Sequence, residues 1–229
     1  MCTQSEKSKV QREIVRIPQH TALLVVDMQM DFLEGGALGV PGSLKTILPI
    51  TDLIKRHDWS SVIFTQDWHP NGHVSFASSH SNKKPFADSI KTFYGEQELW
   101  PDHCIQQDWG ATLYPQLPLH RADLILRKGT KVNLDSYSAV FENDKRTNTG
   151  LLGYLQSREI CLVVVVGLAF DFCVGFTALD LGDYGLDVIV PMDCTASVSK
   201  DSKQKMIDKL DKYDSISIIE KYEDMFLEK

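Results

Sequence analysis

Apolar residues gather along the chain in short continuous runs, separated by stretches in which they recur at helical spacing. The runs at 21–27, 59–67, 122–128, 160–166, 185–191 and 215–220 have strand length, and their continuity predicts strands buried on both faces, as in a parallel sheet. Between them, 43–57, 150–157, 174–183 and 201–213 carry apolar positions three and four apart and predict helices. In the first helix Ser43 caps the start, Leu44, Ile47, Leu48, Leu53 and Ile54 form the buried face, and Pro49 is placed to kink the run. This alternation specifies an α/β fold, a three-layer α/β/α arrangement with a six-stranded, mostly parallel sheet. With no Gly/Ser/Pro-rich linker and no repeat, residues 1–229 read as a single domain with a polar, flexible leader over 1–15. Residues 74–120 fit neither period; an irregular segment of that length inside a compact domain usually carries function.

The formal charge of -7 argues against nucleic acid or an anionic membrane as the main partner, because no basic stripe answers phosphate charge. Small molecules are the better ligands. Five cysteines with no CxxC spacing indicate neither a disulfide framework nor a cysteine-built zinc site, and fit a reducing compartment. The leader has no apolar h-region and no run reaches membrane-spanning length, so a cytoplasmic protein is expected. Near the C-terminus Ile216, Ile218, Ile219, Met225, Phe226 and Leu227 suit either a homo-oligomer interface or cover for the sheet edge.

Ligands of open α/β sheets bind beyond the carboxyl ends of the strands, and here those ends carry chemistry. Asp27 ends the first run, Asp67 and His69 the second and Lys128 the third, while Cys173 lies in the turn after the fourth. A thiol at a helix N-terminus is favoured as thiolate, although Cys173 standing alone would read more readily as a small buried apolar residue. Asp67 and His69, two apart in extended chain, project to one side and can share a metal ion while Trp68 faces away. His103 is the best third ligand, since two imidazoles and one carboxylate leave positions open for water or substrate. His73 and His80, which follow, read either as outer-shell groups or simply as surface histidines. The glycine-rich loop over 28–42 lacks the GK[ST] ending of a phosphate loop and is expected to fold over a site.

Taken together, Val25-Val-Asp27-Met-Gln-Met-Asp-Phe32, Asp67-Trp-His69-Pro-Asn-Gly-His73, Trp100-Pro-Asp-His103-Cys104, Lys128-Gly129 and Gly167-Leu-Ala-Phe-Asp-Phe-Cys173-Val174 resemble nicotinamidases of the isochorismatase-like cysteine hydrolase superfamily. The resemblance runs over residues 20–200 and implies hydrolysis of nicotinamide to nicotinate and ammonia in NAD salvage, with pyrazinamide-like analogues accepted. It implies a catalytic triad of Asp27, Lys128 and Cys173. It implies one divalent metal ion, zinc by preference with iron or manganese open, on Asp67, His69 and His103, with His73 near it. A cis peptide before Ala169 would aim the backbone N–H groups of Ala169 and Cys173 at the substrate carbonyl oxygen. Phe32, Trp100 and Tyr137 would line the pyridine pocket.

Phe170 and Phe172 stand where relatives often have Thr and Tyr, and the loop from His80 to Leu99 looks longer than in bacterial members. The expected mechanism has the Lys128 ammonium and the helix N-terminus lowering the Cys173 pKa, with Asp27 taking the thiol proton. Competing readings are another amidohydrolase of the superfamily, a non-haem metal oxygenase and a non-catalytic ligand-binding protein. The metal set speaks against the first, and the triad against the other two.

Overall fold

The computed structural model describes residues 19–225; the leader, Phe226 and Leu227 lie outside them. In chain order the main elements are β1 (Thr21–Val26), α1 (Ile47–Arg56), β2 (Ser61–Asp67), β3 (Ser89–Thr92), β4 (Gly95–Glu98), β5 (Leu124–Lys128) and α2 (Leu151–Ser157). They continue with β6 (Leu162–Leu168), α3 (Gly175–Asp183), β7 (Asp187–Pro191), β8 (Thr195–Ala196), α4 (Lys200–Leu210) and β9 (Ile216–Ile219).

Six strands form a continuous parallel path in the order β5-β2-β1-β6-β7-β9, matching the six apolar runs. A seventh, the two-residue β8, pairs with the far end of β6 through Gly167 and Leu168, so the sheet has seven strands and not six. A strand this short carries no apolar run to announce it.

Alternation along the strands divides the core. Leu23, Val25, Phe64, Val164 and Val166 face α1 through Ile50, Leu53 and Ile54. Ala22, Leu24, Val26, Ile63, Val163 and Val165 face the other way, toward Leu151 and Leu155 of α2, Ala178 and Leu181 of α3, and Met206 and Leu210 of α4. Both faces are therefore dry, which is why the runs were continuous. Ile216 and Met225 from the C-terminal apolar stretch pack into these same cores.

The first helix departs from its expected phase. Ser43–Thr46 is a tighter 3-10 turn and the α-helix begins only at Ile47, so Leu44 and Leu48 are 47 % and 78 % exposed. Pro49 stands in the first turn, where its missing N–H has no intrahelical partner, and the helix continues through it. The segment 74–120 also contains regular structure: β3 and β4 pair as an antiparallel hairpin separate from the main sheet.

Chain order reverses between β1 and β6, with β2 and β5 to one side and β7 and β9 to the other. At such a switch point the connections leave in opposite directions and open a crevice beyond the strand ends. Asp27 and the turn bearing Cys173 are the residues that β1 and β6 deliver there.

Candidate active site

Asp27, the residue after β1, is wholly buried and takes a left-handed backbone conformation (φ 47°) that Asp tolerates better than bulkier residues. Thr65 on β2 holds it twice: Thr65 Oγ1 accepts the Asp27 N–H at 3.1 Å and donates to Asp27 Oδ1 at 2.6 Å. Lys128, at the end of β5 and in register with Asp67, is also wholly buried. Its ammonium reaches Asp27 Oδ2 at 2.9 Å, Asp67 Oδ1 at 2.5 Å, the Ser136 carbonyl at 2.9 Å and Cys173 Sγ at 3.3 Å. The Asp27 Oδ2 contact is an ion pair without an aligned hydrogen bond, so that oxygen keeps a lone pair for a proton.

Beyond β6 the chain makes a wide π-type turn over Phe170–Val174 before α3. Gly167 enters it at φ 110°, where a Cβ would strike the backbone of Val26 on β1. The peptide bond between Leu168 and Ala169 is cis, as the resemblance implies. Phe172 and Val174 N–H both donate to the Ala169 carbonyl at 3.0 Å, and the Cys173 carbonyl accepts from Thr177 Oγ1 at 2.6 Å. This sets Cys173, 6 % exposed, beside Lys128 and Asp27.

The electrostatics correct one expectation. Burial pushes the Cys173 thiol well above its usual range; Lys128 offsets only part of this, and Asp27 and Asp67 add to it. Burial thus works against the expected thiolate, and removing the thiol proton falls to a base beside the sulfur. Burial, with Asp67 beside it, also raises Asp27 against the pull of Lys128, so Asp27 is the group fitted to accept a proton. At Lys128 burial alone would favour the neutral amine, but Asp27 and Asp67 outweigh it and keep the ammonium.

Asp67, His69 and His103 converge behind this cluster. From Asp67 Oδ2 it is 3.6 Å to His69 Nε2 and 4.0 Å to His103 Nε2, and all three side chains are buried. His69 Nδ1 lies 2.9 Å from the Gly129 carbonyl and His103 Nδ1 2.7 Å from the Pro101 carbonyl. Each carbonyl can only accept, which places the proton on Nδ1 and turns a bare Nε2 lone pair inward, the arrangement metal-binding histidines use. Burial opposes Asp67 ionisation, yet Lys128, His69 and His103 outweigh it and hold the carboxyl well below the usual carboxylate range. Burial and then His69 push His103 down to about 4, leaving it a neutral donor. Donor types, convergence and tautomers thus fit one divalent cation. Trp68 points away, as its place between Asp67 and His69 requires, under the Arg127 guanidinium at 3.8 Å.

His73 stacks on His69 with ring centroids 4.0 Å apart. Its Nδ1 lies 2.8 Å from Ser75 Oγ and its Nε2 3.3 Å from the Leu134 carbonyl, so both nitrogens are occupied and it supports the His69 ring.

A recess of about 420 Å³, mouth included, opens above these groups. Phe32, Trp100 and Tyr137 line it as expected, with Ala169, Phe172 and Val198, while Asp67, His103, Asp135 and Cys173 supply its polar side. Trp100 and Tyr137 set their rings edge-on to Phe172, at 4.9 and 5.4 Å between centroids. The loop 28–42 does fold over the site, contributing Phe32, Leu38 and Val40. Of the two positions where the turn differs from relatives, Phe172 faces this recess whereas Phe170 is buried in the core.

Sequence reasoning passed over Gln29 and Asp135. Gln29 accepts the Asp67 N–H on Oε1 and donates from Nε2 to the Asp67 carbonyl, both at 2.8 Å, imitating a strand partner where β1 has ended. Its place two residues after Asp27 was the available signal. Asp135 gave none, since one acidic residue in a polar loop has no periodicity.

A doubly wound parallel sheet with Asp, Lys and Cys at its switch point and an Asp/His/His set beside them defines the class: the chain belongs to the isochorismatase domain family, whose model matches residues 21–217. Within that family its similarities run to nicotinamidases. It is 48 % identical to the nicotinamidase of Acinetobacter baylyi over 177 residues, 77 % of this chain and 81 % of that protein. Among solved structures, an Acinetobacter baumanii nicotinamidase and pyrazinamidase superposes with a TM-score of 0.84 at 42 % identity, covering 88 % of this chain and 96 % of that one. The zinc complex of a Pyrococcus horikoshii pyrazinamidase superposes with a TM-score of 0.71 at 28 % identity, covering 87 % and 98 %.

Proposed function

We infer that the protein hydrolyses nicotinamide to nicotinate and ammonia, the reaction of NAD salvage, through a thioester on Cys173. The observation that carries this is Lys128 Nζ in simultaneous contact with Asp27, Asp67 and Cys173 at the floor of an aromatic recess. Such a cluster has no structural need, since a core builds more stably from apolar side chains.

With the carboxamide above Cys173, Asp27 takes the thiol proton as sulfur attacks the carbonyl carbon. Substrate in the recess displaces water, and Lys128 then faces a thiolate it can stabilise directly. The negative oxygen of the tetrahedral adduct is received by the backbone N–H groups of Ala169 and Cys173, each such donor being worth roughly 3 to 4 kcal/mol. Asp27 returns its proton to the departing nitrogen, ammonia leaves and the C–S bond remains as a thioester. Asp27 then accepts a proton from water as it attacks the thioester, and the cysteine is restored as nicotinate departs. Asp67, His69 and His103 would hold one divalent ion, zinc by preference with iron or manganese suited to the same donors, and the bound ion would orient the pyridine ring. Phe32, Trp100, Tyr137 and Phe172 sandwich the ring, and the same walls suit pyrazinamide-like carboxamides.

The described cysteines Cys104, Cys161, Cys173 and Cys194 are free thiols, which supports a reducing, cytoplasmic setting. Continuous cores on both sheet faces support one domain over the described residues. Ammonia release from nicotinamide by the purified protein, with metal content measured on the same sample, tests the reading. Release in proportion to enzyme is expected; nicotinamide binding without ammonia would overturn it.

A further inference from the structure

The β3–β4 hairpin sends one polar side chain inward. On β4, Glu96 and Glu98 are exposed, whereas Gln97 between them is 1 % exposed, as strand alternation requires. Its amide is engaged at both ends. Nε2 donates to Asp135 Oδ2 and to the Glu98 carbonyl, each at 2.8 Å, and stands 3.3 Å from the Tyr137 hydroxyl. Oε1 accepts from the Tyr94 hydroxyl at 3.0 Å and from Asn143 Nδ2 at 3.4 Å, and Asn143 Oδ1 accepts the Tyr137 backbone N–H at 2.9 Å.

Asp135 and Tyr137 line the recess; Gln97 does not. Between them Ser136 donates its N–H to Asp135 Oδ1 at 2.8 Å and offers its carbonyl to Lys128 Nζ at 2.9 Å. Hydrogen bonds therefore run without a gap from the hairpin through Asp135 and Ser136 to Lys128. The Asp135 carboxylate is 3 % exposed, and Gln97 is the side-chain donor to Oδ2. A buried carboxylate oxygen that loses its donor must find another, so Asp135 has to shift when Gln97 is removed.

We propose that Gln97 is a positioning residue: by holding Asp135 and Tyr137 it sets the shape of the ring pocket, and through it the β3–β4 hairpin determines which aromatic carboxamides the enzyme accepts. This rests on the amidohydrolase reading of the same site. It acts on substrate fit more than on chemistry, because Lys128 keeps Asp27 and Asp67 when the Ser136 contact loosens.

The test compares Gln97→Leu, Gln97→Glu and, as a hairpin control, Glu96→Gln, whose side chain meets Ser89 at the surface. For Gln97→Leu the KM for nicotinamide should rise about tenfold or more, the loss expected of a hydrogen bond to a buried charge, with kcat within about threefold. Gln97→Glu, which keeps the shape but sets two carboxylates together, should move KM in the same direction, and Glu96→Gln should leave it unchanged. In both Gln97 variants the kcat/KM ratio of a bicyclic carboxamide to nicotinamide should change, which loss of folded enzyme alone cannot produce. A crystal structure of Gln97→Leu should show the Asp135 carboxylate and Tyr137 hydroxyl displaced. Unchanged KM and substrate ratio, or lost activity with wild-type KM in the folded fraction, would overturn the proposal. If wild-type enzyme released no ammonia from nicotinamide the functional reading would fall, and the positions of Asp135 and Tyr137 in that crystal structure would still decide the role of Gln97.

Discussion

Asp67 and Lys128 are joined at 2.5 Å through Asp67 Oδ1, while Oδ2 of the same carboxylate faces His69 and His103. One side chain thus belongs to two clusters, and the charge of the Asp/His/His set is felt at the ammonium beside Cys173. Asp67→Asn removes the anionic ligand and one of the two carboxylates that keep Lys128 charged. Bound metal by elemental analysis should fall well below one ion per chain, and kcat/KM should drop about a hundredfold or more. Full activity with normal metal content would show that the shared carboxylate is dispensable.

Cys173→Ala and chelation should separate chemistry from binding. The alanine variant should release no ammonia yet bind nicotinamide within about threefold of wild type by calorimetry, because sulfur forms its bond only after the ring is seated. Chelation should weaken nicotinamide binding strongly. Near-normal turnover by Cys173→Ala would point instead to attack by a metal-bound hydroxide.

Gln29→Leu should lower stability although Gln29 is outside the proposed catalytic set. It strips partners from the buried N–H and carbonyl of Asp67, at about 1 to 3 kcal/mol for each group. Thermal unfolding should therefore show a midpoint several degrees lower, with weaker metal retention. An unchanged midpoint would mean that water replaces the amide.

Glu142 offers a pH test read on stability. Burial raises its carboxyl to about 7, against the pull of Lys128 and Lys131, and Oε2 has no hydrogen-bond partner. Because the folded pKa lies above the unfolded one, the unfolded chain releases its proton first. The group therefore costs nothing well below pH 4.5, and its destabilisation grows as pH rises to about 7 and then levels off. Glu142→Gln should remove on the order of 1 to 2 kcal/mol of that loss, so the variant gains stability relative to wild type at pH 8 but not at pH 4. Equal differences at both pH values in chemical denaturation would refute a raised Glu142.

The strands and their carboxyl ends were legible because burial on both faces writes itself as a continuous apolar run, and Asp27, Asp67, Lys128 and Cys173 directly end or follow such runs. The pairing of Asp67 with His69 was legible because period two is local. The phase of α1 was not: whether Ser43–Thr46 winds tightly or as α-helix depends on packing around it, and that choice moved Leu44 and Leu48 to the surface. Nor was β8, whose two residues become a strand only because β6 extends far enough to pair with them.

The amino-acid sequence by itself determined the α/β architecture, the strand ends and the residue types available there, because periodicity and chain order are local properties. The sign of the Cys173 pKa shift was a tertiary matter. A helix N-terminus and a lysine argue for thiolate, but burial and two nearby carboxylates outweigh them, and burial is set by everything packed around the turn. The same holds for Gln29 and Gln97, whose tasks exist only where distant segments meet. Position 29 is separated from position 67 by a helix and a strand, and Gln97 meets Asp135 only after the hairpin folds back toward the sheet edge.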